Sequence, residues 1–595
     1  MREGLSRPLW LALVIAAFCV PLFIGLDRTD VESDEAIYSY AVDGILAHGD
    51  WLNPRSSPHE DAVFLEKPPL KFWIVAAPIR LGLLPHNEFG LRFWDALFGA
   101  VAFVYVFSIG KKLAGPLCGL VAVMVLFVNG PLVFEHGLRG NNMEAPLFLC
   151  YCGGIYHYLA WGADEDRRAR RRHVVAVGLY FFLGFMTKFV AALFLPVILA
   201  ISSIANRETR KRVVTDMSAW MLAAGEVIVL ASPWFVYQQF KSGNELWRII
   251  FGVHVYQRFT VSLDPGHIHP WNYYYVETWR ELLHMGTAWL MVAGGILLCA
   301  VTWRERRLEQ ITVLAWAVVP LGLMSAVTSK LPHYAYPFLP PVALMVGFGP
   351  GWIARVGRHH VDRIMEVIQD RLARRTPAST SVRRALLVLT VLSMVVAALT
   401  LVFGTLTWRV GGVQVFRNSH VSRPLVLALV LATIGGRGVA AARVVFPVAL
   451  LLLVLPVNAY ENMLTRASIE DHPVRTAAAC LLRVRAADLR AGRPAPGILS
   501  IGEHKWFLHN YYYYLHHVGG WERLEAADTR TLEHALLVPG HQRPTLVDDA
   551  SYRGFKAGRE VALQSTAVLP LREVLLLMPG PYAVCGLTSR VRTGN

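Results

Sequence analysis

Four carboxylates crowd one short stretch, TDVESDEAIYSY: Asp30, Glu32, Asp34 and Glu35. They follow the first long apolar run, so they stand where a membrane segment ends. Acids in that position either start a helix or take a proton from something bound at the bilayer surface. Asp34 and Glu35 suit the first turn of a helix capped by Ser33, where acids favour the positive end of the dipole. Ile37, Ala41 and Ile45 would line the apolar face of that helix. The same loop carries FLEKPPLKFW, residues 64–73. Pro68 and Pro69 stiffen a turn that presents Glu66 and Lys67. Lys67 either snorkels toward headgroups or, as a point charge, holds an anionic phosphate. Two further loops add Arg139 and Glu144 (GLRGNNMEAP, 137–146) and Lys330, His333 and Tyr334 (TSKLPHYAYPFLPP, 328–341).

Positioning such groups falls to a membrane body. Of 595 residues, 54% are hydrophobic and 17% charged, against roughly 25% charged in soluble domains. Apolar runs of roughly 16–22 residues recur, enough to cross a hydrocarbon core of about 30 Å. The expected fold is a polytopic α-helical membrane protein. With a cytoplasmic amino terminus and an uncleaved first helix over 8–26, residues 27–89 form the first external loop. Helices are expected near 90–109, 115–134, 145–161, 216–236, 286–302, 311–327, 335–353, 385–407, 422–436 and 443–459. Residues 174–205 lie between two basic loops, so they must cross an even number of times, as two short helices broken near 186–188. The expected count is about 13. That number divides the chain into a membrane domain, 1–459, and a soluble external α/β domain, 460–595, punctuated by Gly and Pro.

The net charge of +15 is concentrated in short loops such as EDRRARRRH (165–173), NRETRKR (206–212) and WRERR (303–307). These follow the positive-inside rule. A nucleic-acid surface would need one continuous basic face, so no nucleic-acid partner is expected. The seven cysteines have no metal spacing. Cys480 and Cys585 fall in the polar carboxy-terminal region, where they can pair if it faces an oxidising compartment.

The stretch SDEAIYSYAVDGILAHGDWLNPR…FLEKPPLKFWIVAAPIRLGLLPHNEFGLRFWDALFGA resembles the opening of bacterial polyprenyl-phosphate-sugar glycosyltransferases of the GT-C fold. These include the lipid A aminoarabinose transferase and, more distantly, protein O-mannosyltransferases. DE-x-x-Y, E-K-P-P-L and S-K-L-P-x-Y occur in the family's order, and the likeness runs over residues 1–345. The resemblance implies a transferase that moves one sugar from a polyprenyl-phosphate carrier, undecaprenyl phosphate in a bacterium. The acceptor would be lipid A, another glycan or a protein, at the periplasmic face of the inner membrane. It implies Asp34 as general base, with Glu35 and Glu144 as further catalytic candidates. It places Lys67 at the carrier phosphate with Tyr334 near it, and the cations of the other loops, Arg139 and Lys330, are further candidates to surround that phosphate. Tyr38, Glu66, His254, Arg258 and His333 complete the candidate set. No cofactor is expected to be required; the resemblance carries one metal option, zinc held by Glu66 and His254. Two departures limit the transfer of detail: Ile37 stands where the aminoarabinose transferases usually have Arg, and Glu144 stands near the place of a common Asp.

The chemistry suits these residues. A phosphate leaves far more readily than an alcohol, so the general acid of a glycoside hydrolase is dispensable. One carboxylate to take the acceptor's proton, with cations around the departing phosphate, is sufficient. A single displacement would invert the anomeric centre. The rival reading is a transporter or flippase for a lipid-linked substrate, which needs ionisable groups near the midplane.

Overall fold

The computed structural model describes residues 6–55, 63–257, 260, 265–356, 380–403, 405–410, 413–418, 423–424, 427–428, 431, 457–492, 498–501, 513–514, 524–527, 529–538, 541–571 and 574–586. Among them, six helices are long and apolar enough to cross a membrane: Glu88–Ala114, Arg167–Ala205, Met217–Ser242, Ala288–Glu305, Leu308–Ser325 and Pro332–Val356. Shorter apolar helices cover Pro8–Phe23, Pro116–Phe127 and Arg384–Thr400. Of the expected helix at 422–436 residues 423–424, 427–428 and 431 are described, all helical, and of that at 443–459 only 457–459. The helix expected at 385–407 stops at Phe403, and an antiparallel hairpin follows, Leu406–Val410 with Val413–Asn418.

Close packing of the membrane helices depends on small residues, because lipid supplies no hydrophobic drive between helices. Helix Glu88–Ala114 meets Pro116–Phe127 at Gly110 and Gly119, where a Cβ on Gly110 would come within 2.5 Å of the Gly119 Cα. Helix Arg167–Lys188 ends at a break: Phe189 has φ 25°, and after a turn of 3-10 helix the chain resumes as Phe194–Ala205. A positive φ is costly for a residue with a Cβ, and such strain persists only where surrounding packing fixes it.

The basic loops gather at one end of the body. Arg170 pairs with Asp216 (Nε–Oδ2 2.7 Å), and Arg212 donates to the carbonyls of Gly162 and Asp164 at the end of helix Glu144–Ala163. Glu144, at the other end of that helix, lies about 30 Å away at 1.5 Å per residue. The candidate acids and the basic loops therefore occupy opposite ends.

Among the described residues, the carboxy-terminal region forms a five-stranded sheet in the order Leu524–Ala527, Ile498–Ile501, Thr545–Asp548, Val574–Met578, Ala567–Leu571. The first three strands are parallel and the last two join antiparallel. A disulfide joins Cys480 to Cys585. The region is bolted to the first loop. The Asp30 carboxylate accepts from the N–H groups of Val474 (2.6 Å) and Arg475 (3.1 Å), in the first turn of helix Pro473–Arg490. Tyr513 and Tyr514, from the tyrosine run at 511–514, are helical and buried. Tyr514 donates to Glu88 and accepts from the Val31 N–H, and Tyr513 packs edge-on against Tyr40.

Candidate active site

The loop helix runs Ser33–His48, with Glu32 rather than Ser33 at its N-cap. Its apolar side is as expected: Ala41 and Ile45 are fully buried, with Ile37 packed beside them. Successive helix residues point about 100° apart, so Asp34 and Glu35 have separate fates. The Glu35 carboxylate accepts from Arg92 Nε (2.6 Å) and Nη2 (2.8 Å), and from the N–H groups of Asn141 (2.9 Å) and Glu32 (3.2 Å). Burial alone would raise its pKa. The Arg92 guanidinium and these donors outweigh burial and hold it below the usual carboxylate range. The other Arg92 N–H groups reach the carbonyls of Leu26, Thr29 and Asp30. Glu35 is thus fully engaged in fixing the loop.

A second buried pair fixes the facing loop. Lys71, from helix Leu70–Arg80, bonds Asp95 (2.5 Å), the Asn141 side-chain oxygen (3.2 Å) and the Asn142 carbonyl (3.1 Å). The Asn142 N–H donates back to Asp95 (2.8 Å). GLRGNNME is therefore locked between the first loop and helix Glu88–Ala114, and Glu144 begins its helix immediately after.

Asp34 takes no part in these locks. Its side chain is 36% exposed and lies 4.0 Å from Nδ1 of His136. The His136 ring stacks on His333 with centroids 4.6 Å apart, and His333 Nε2 lies 3.7 Å from Glu144 Oε1. Glu144 also pairs with Lys188, whose Nζ stands 4.8 Å over the Tyr334 ring. Tyr38, one turn after Asp34, is buried. Burial, followed by the charges of Asp34, Glu144 and Glu66 and the Tyr334 phenol, pushes its hydroxyl well above the ordinary range. Rings of Tyr38, Phe64 and Phe72 pack at centroid distances of 6.1–6.3 Å, which holds the E-K-P-P turn against the helix. In that turn Lys67 is buried and Glu66 exposed.

Two expected cations are committed to main-chain carbonyls. Arg139 donates to Pro21 (3.2 Å), Leu22 (2.9 Å) and Ile24 at the end of the first apolar helix. Burial, then Arg92, brings its pKa down to about 10. Lys330 donates to the carbonyls of His269 (3.0 Å) and Val327, and burial lowers its pKa. Arg258 lies outside the described residues, as does the side chain of His254. Among the described residues no three His, Cys, Asp or Glu side chains converge as a metal site. Structural zinc takes four protein ligands and catalytic zinc three, so Glu66 and His254 alone do not make a donor set.

The model of the dolichyl-phosphate-mannose-protein mannosyltransferase family matches residues 66–237. An undecaprenyl phosphate-α-4-amino-4-deoxy-L-arabinose arabinosyl transferase of Pseudomonas fluorescens is 27% identical over 321 residues, 53% of this chain and 52% of that protein. One from Photorhabdus laumondii is 27% identical over 348 residues, 56% of this chain and 59% of its own length. The chain thus spans little more than half the length of these relatives. The crystal structure of ArnT from Cupriavidus metallidurans bound to undecaprenyl phosphate superposes with a TM-score of 0.57 and 17% identity, over 96% of this chain and 98% of that one. The Archaeoglobus fulgidus oligosaccharyltransferase gives 0.53 with 11% identity, over 99% and 78% respectively. The chain has the GT-C fold and resembles the GT-C glycosyltransferases.

In this GT-C chain the structure brings Asp34, Tyr38, Glu144, His333 and Tyr334 into one cluster and leaves Glu35, Arg139 and Lys330 engaged in the surrounding scaffold. Sequence reasoning missed Arg92, His136 and Lys188. For two of them a signal existed: Arg92 lies beside an apolar run, and Lys188 at a break within one. A charged group at membrane depth has a paired or functional role by default. His136 carried no such signal, because only the fold stacks it on His333.

Proposed function

We propose that the chain is an integral membrane glycosyltransferase that moves one sugar from a polyprenyl-phosphate carrier to an acceptor hydroxyl. The observation that carries this reading is the gathering of a half-exposed carboxylate, Asp34, with the buried Glu144 and the partly buried Lys188 and Tyr334, linked through His136 and His333. The region matching the arabinosyl transferases and the GT-C fold support it. The named donor of those relatives makes undecaprenyl phosphate the preferred carrier, with lipid A, another glycan or a protein as acceptor. The expected setting is a bacterial inner membrane. An active site on the external face fits the basic loops lying at the opposite end.

In the proposed reaction the acceptor oxygen attacks the anomeric carbon and the bond from that carbon to the phosphate oxygen breaks. Asp34 takes the acceptor's proton, and the carrier phosphate leaves with the bonding electrons. Lys188 and Lys67 are the cations proposed to meet the growing phosphate charge. The Tyr334 ring holds the Lys188 ammonium by cation–π attraction, and Glu144 balances that ammonium before donor arrives. Arg139 and Lys330, bonded to carbonyls, are assigned to support. One displacement gives inversion.

The test is turnover in liposomes of undecaprenyl-phosphate-linked aminoarabinose with lipid A, followed by mass spectrometry, for wild type and Asp34→Asn. Loss of about 10²–10⁴-fold in the variant, with its fold intact, is expected of a positioned base. Donor carried across the bilayer with its sugar still attached would replace this reading with transport. Equal turnover by both proteins would remove Asp34 as the base.

A further inference from the structure

We propose that His136 is a positioning residue for Asp34: its imidazole holds the carboxylate in the orientation that receives a proton. The role rests on the transferase reading above. Glu35, Asp95 and Asp30 are each held by more than one donor. Asp34 is not. Among the described residues its one ion-pair partner is His136, with Nδ1 4.0 Å from Oδ2. The backbone at His136 is also strained. Its φ is 53°, a conformation that glycine adopts freely and a residue with a Cβ does not. The bend is closed by the Glu135 N–H on the Pro131 carbonyl (2.8 Å) and the Leu138 N–H on the Leu132 carbonyl (2.9 Å). At the next position a Cβ on Gly137 would fall 1.6 Å from the Leu132 oxygen. Glycine thus stands at 137 for space, while 136 keeps a histidine where glycine would relieve the strain. Strain of this kind gathers at functional sites, where the side chain is what the position requires.

A second ring sets the plane of the first. His136 stacks on His333 with centroids 4.6 Å apart and an interplanar angle of 24°. His333 is itself buried, lies edge-on to Tyr334 at 4.8 Å and has Nε2 3.7 Å from Glu144 Oε1. The stacked pair therefore meets two carboxylates, His136 at Asp34 and His333 at Glu144. With its proton on Nδ1, His136 donates to the Asp34 carboxylate. At 4.0 Å that bond is still open, and such contacts commonly tighten only once substrate is bound. One Asp34 oxygen is then held, and the other is left to take the acceptor's proton. Misplacement of a reacting group by 1 Å can cost about 10²-fold, so holding the carboxylate bears directly on rate.

The experiment is liposome turnover of undecaprenyl-phosphate-linked aminoarabinose with lipid A by the full-length wild type, His136→Gly and His136→Asn. Glycine and asparagine both accept a left-handed backbone, so a difference between the variants reports the side chain. His136→Gly should lower kcat about tenfold to hundredfold, the loss of one hydrogen bond to a charged group, with KM for the donor unchanged. His136→Asn keeps an N–H donor and should recover part of kcat. The His136 ring is 33% exposed and lines a cavity of about 240 Å³, so added imidazole should reach the vacated place in His136→Gly and raise its turnover. The effect runs through Asp34, so adding His136→Gly to Asp34→Asn should slow that variant no further. Full kcat in His136→Gly overturns the proposal. So do equal losses in both variants without recovery by imidazole, or a doubly substituted protein slower than Asp34→Asn by the whole His136 factor. Each of these, with wild-type turnover intact, leaves the transferase reading standing. Absence of turnover by the wild type removes the transferase reading, and the role of His136 goes with it.

Discussion

Arg92 and Glu35 should behave as a unit, and a double-mutant cycle measures that. The guanidinium and carboxylate are each 4% exposed and form two hydrogen bonds of 2.6 and 2.8 Å. Arg92→Met leaves the Glu35 carboxylate buried with only the Asn141 and Glu32 N–H groups. Glu35→Met leaves Arg92 with only carbonyl and hydroxyl oxygens. Removing one partner of a buried pair costs about 3–5 kcal/mol, because the survivor is an uncompensated charge. Each single variant should therefore lose on the order of 10²–10⁴-fold in its folded-to-unfolded ratio. The double variant buries no stranded charge. Its loss should fall short of the sum of the singles by about 3 kcal/mol, the upper end of coupling between contacting residues. The assay is thermal unfolding in detergent, in a Cys299→Ser background that removes an exposed thiol, read by a thiol-reactive dye, since Cys118, Cys150 and Cys152 are buried and react only on opening. Singles that melt with wild type, or a double variant that equals the sum of the singles, would refute the reasoning.

Other consequences are equally open to measurement. Burial pushes the Asp30 carboxyl from 3.8 up to about 6, against the opposing pull of the Val474 and Arg475 N–H groups. A raised folded-state pKa gives a contribution that is full below pH 3.8 and lost as pH rises through about 6. The loss is on the order of 3 kcal/mol at 1.36 kcal/mol per unit. Glu35 runs the other way, its contribution present above 4.5 and lost as pH falls. Melting in detergent should thus be best between pH 3.8 and 4.5, where the two opposing slopes cancel, the high-pH decline disappearing in Asp30→Asn and the acid decline shrinking in Glu35→Gln. Lys188→Met should weaken undecaprenyl phosphate binding and lower turnover at least tenfold by removing one charge-assisted contact of about 1.5–3 kcal/mol, with Lys188→Arg recovering part of it; unchanged phosphate binding would free Lys188 from that role. Cys480→Ser opens a loop of 105 residues and should cost about 2–5 kcal/mol in unfolding of the carboxy-terminal region, read by limited proteolysis with and without reductant.

The membrane body was legible because it rests on composition and run length. Helix Glu88–Ala114 and the break at Lys188 lie close to where apolar runs and basic loops put them. The loop helix was legible too, since Ala41 and Ile45 follow the helical period. What periodicity does not carry is the partner of a charge. Adjacent acids look alike in a sequence, yet 100° of helix rotation sends Glu35 into a guanidinium and leaves Asp34 half-exposed beside His136. Arg139 and Lys330 looked like phosphate ligands because any cation does. Their carbonyl partners are up to 118 residues away and are supplied only by the fold. The stacked His136–His333 pair joins loops about 200 residues apart, beyond the reach of any local pattern.

The bond from Asp30 to the Val474 N–H spans 444 residues, which bears on how the protein is made. At ~5–20 residues per second of synthesis, the first loop leaves the ribosome roughly 20–90 seconds before the segment that covers it. During that interval Val31, Tyr40 and Ala41, all buried in the finished protein against or beside the carboxy-terminal region, await their partners. The helix that carries Asp34 can form early, but its seat is complete only once residues 471–475 arrive. Assembly of the site is thereby tied to the last quarter of translation, so a chain truncated before that point has the membrane helices without the finished site.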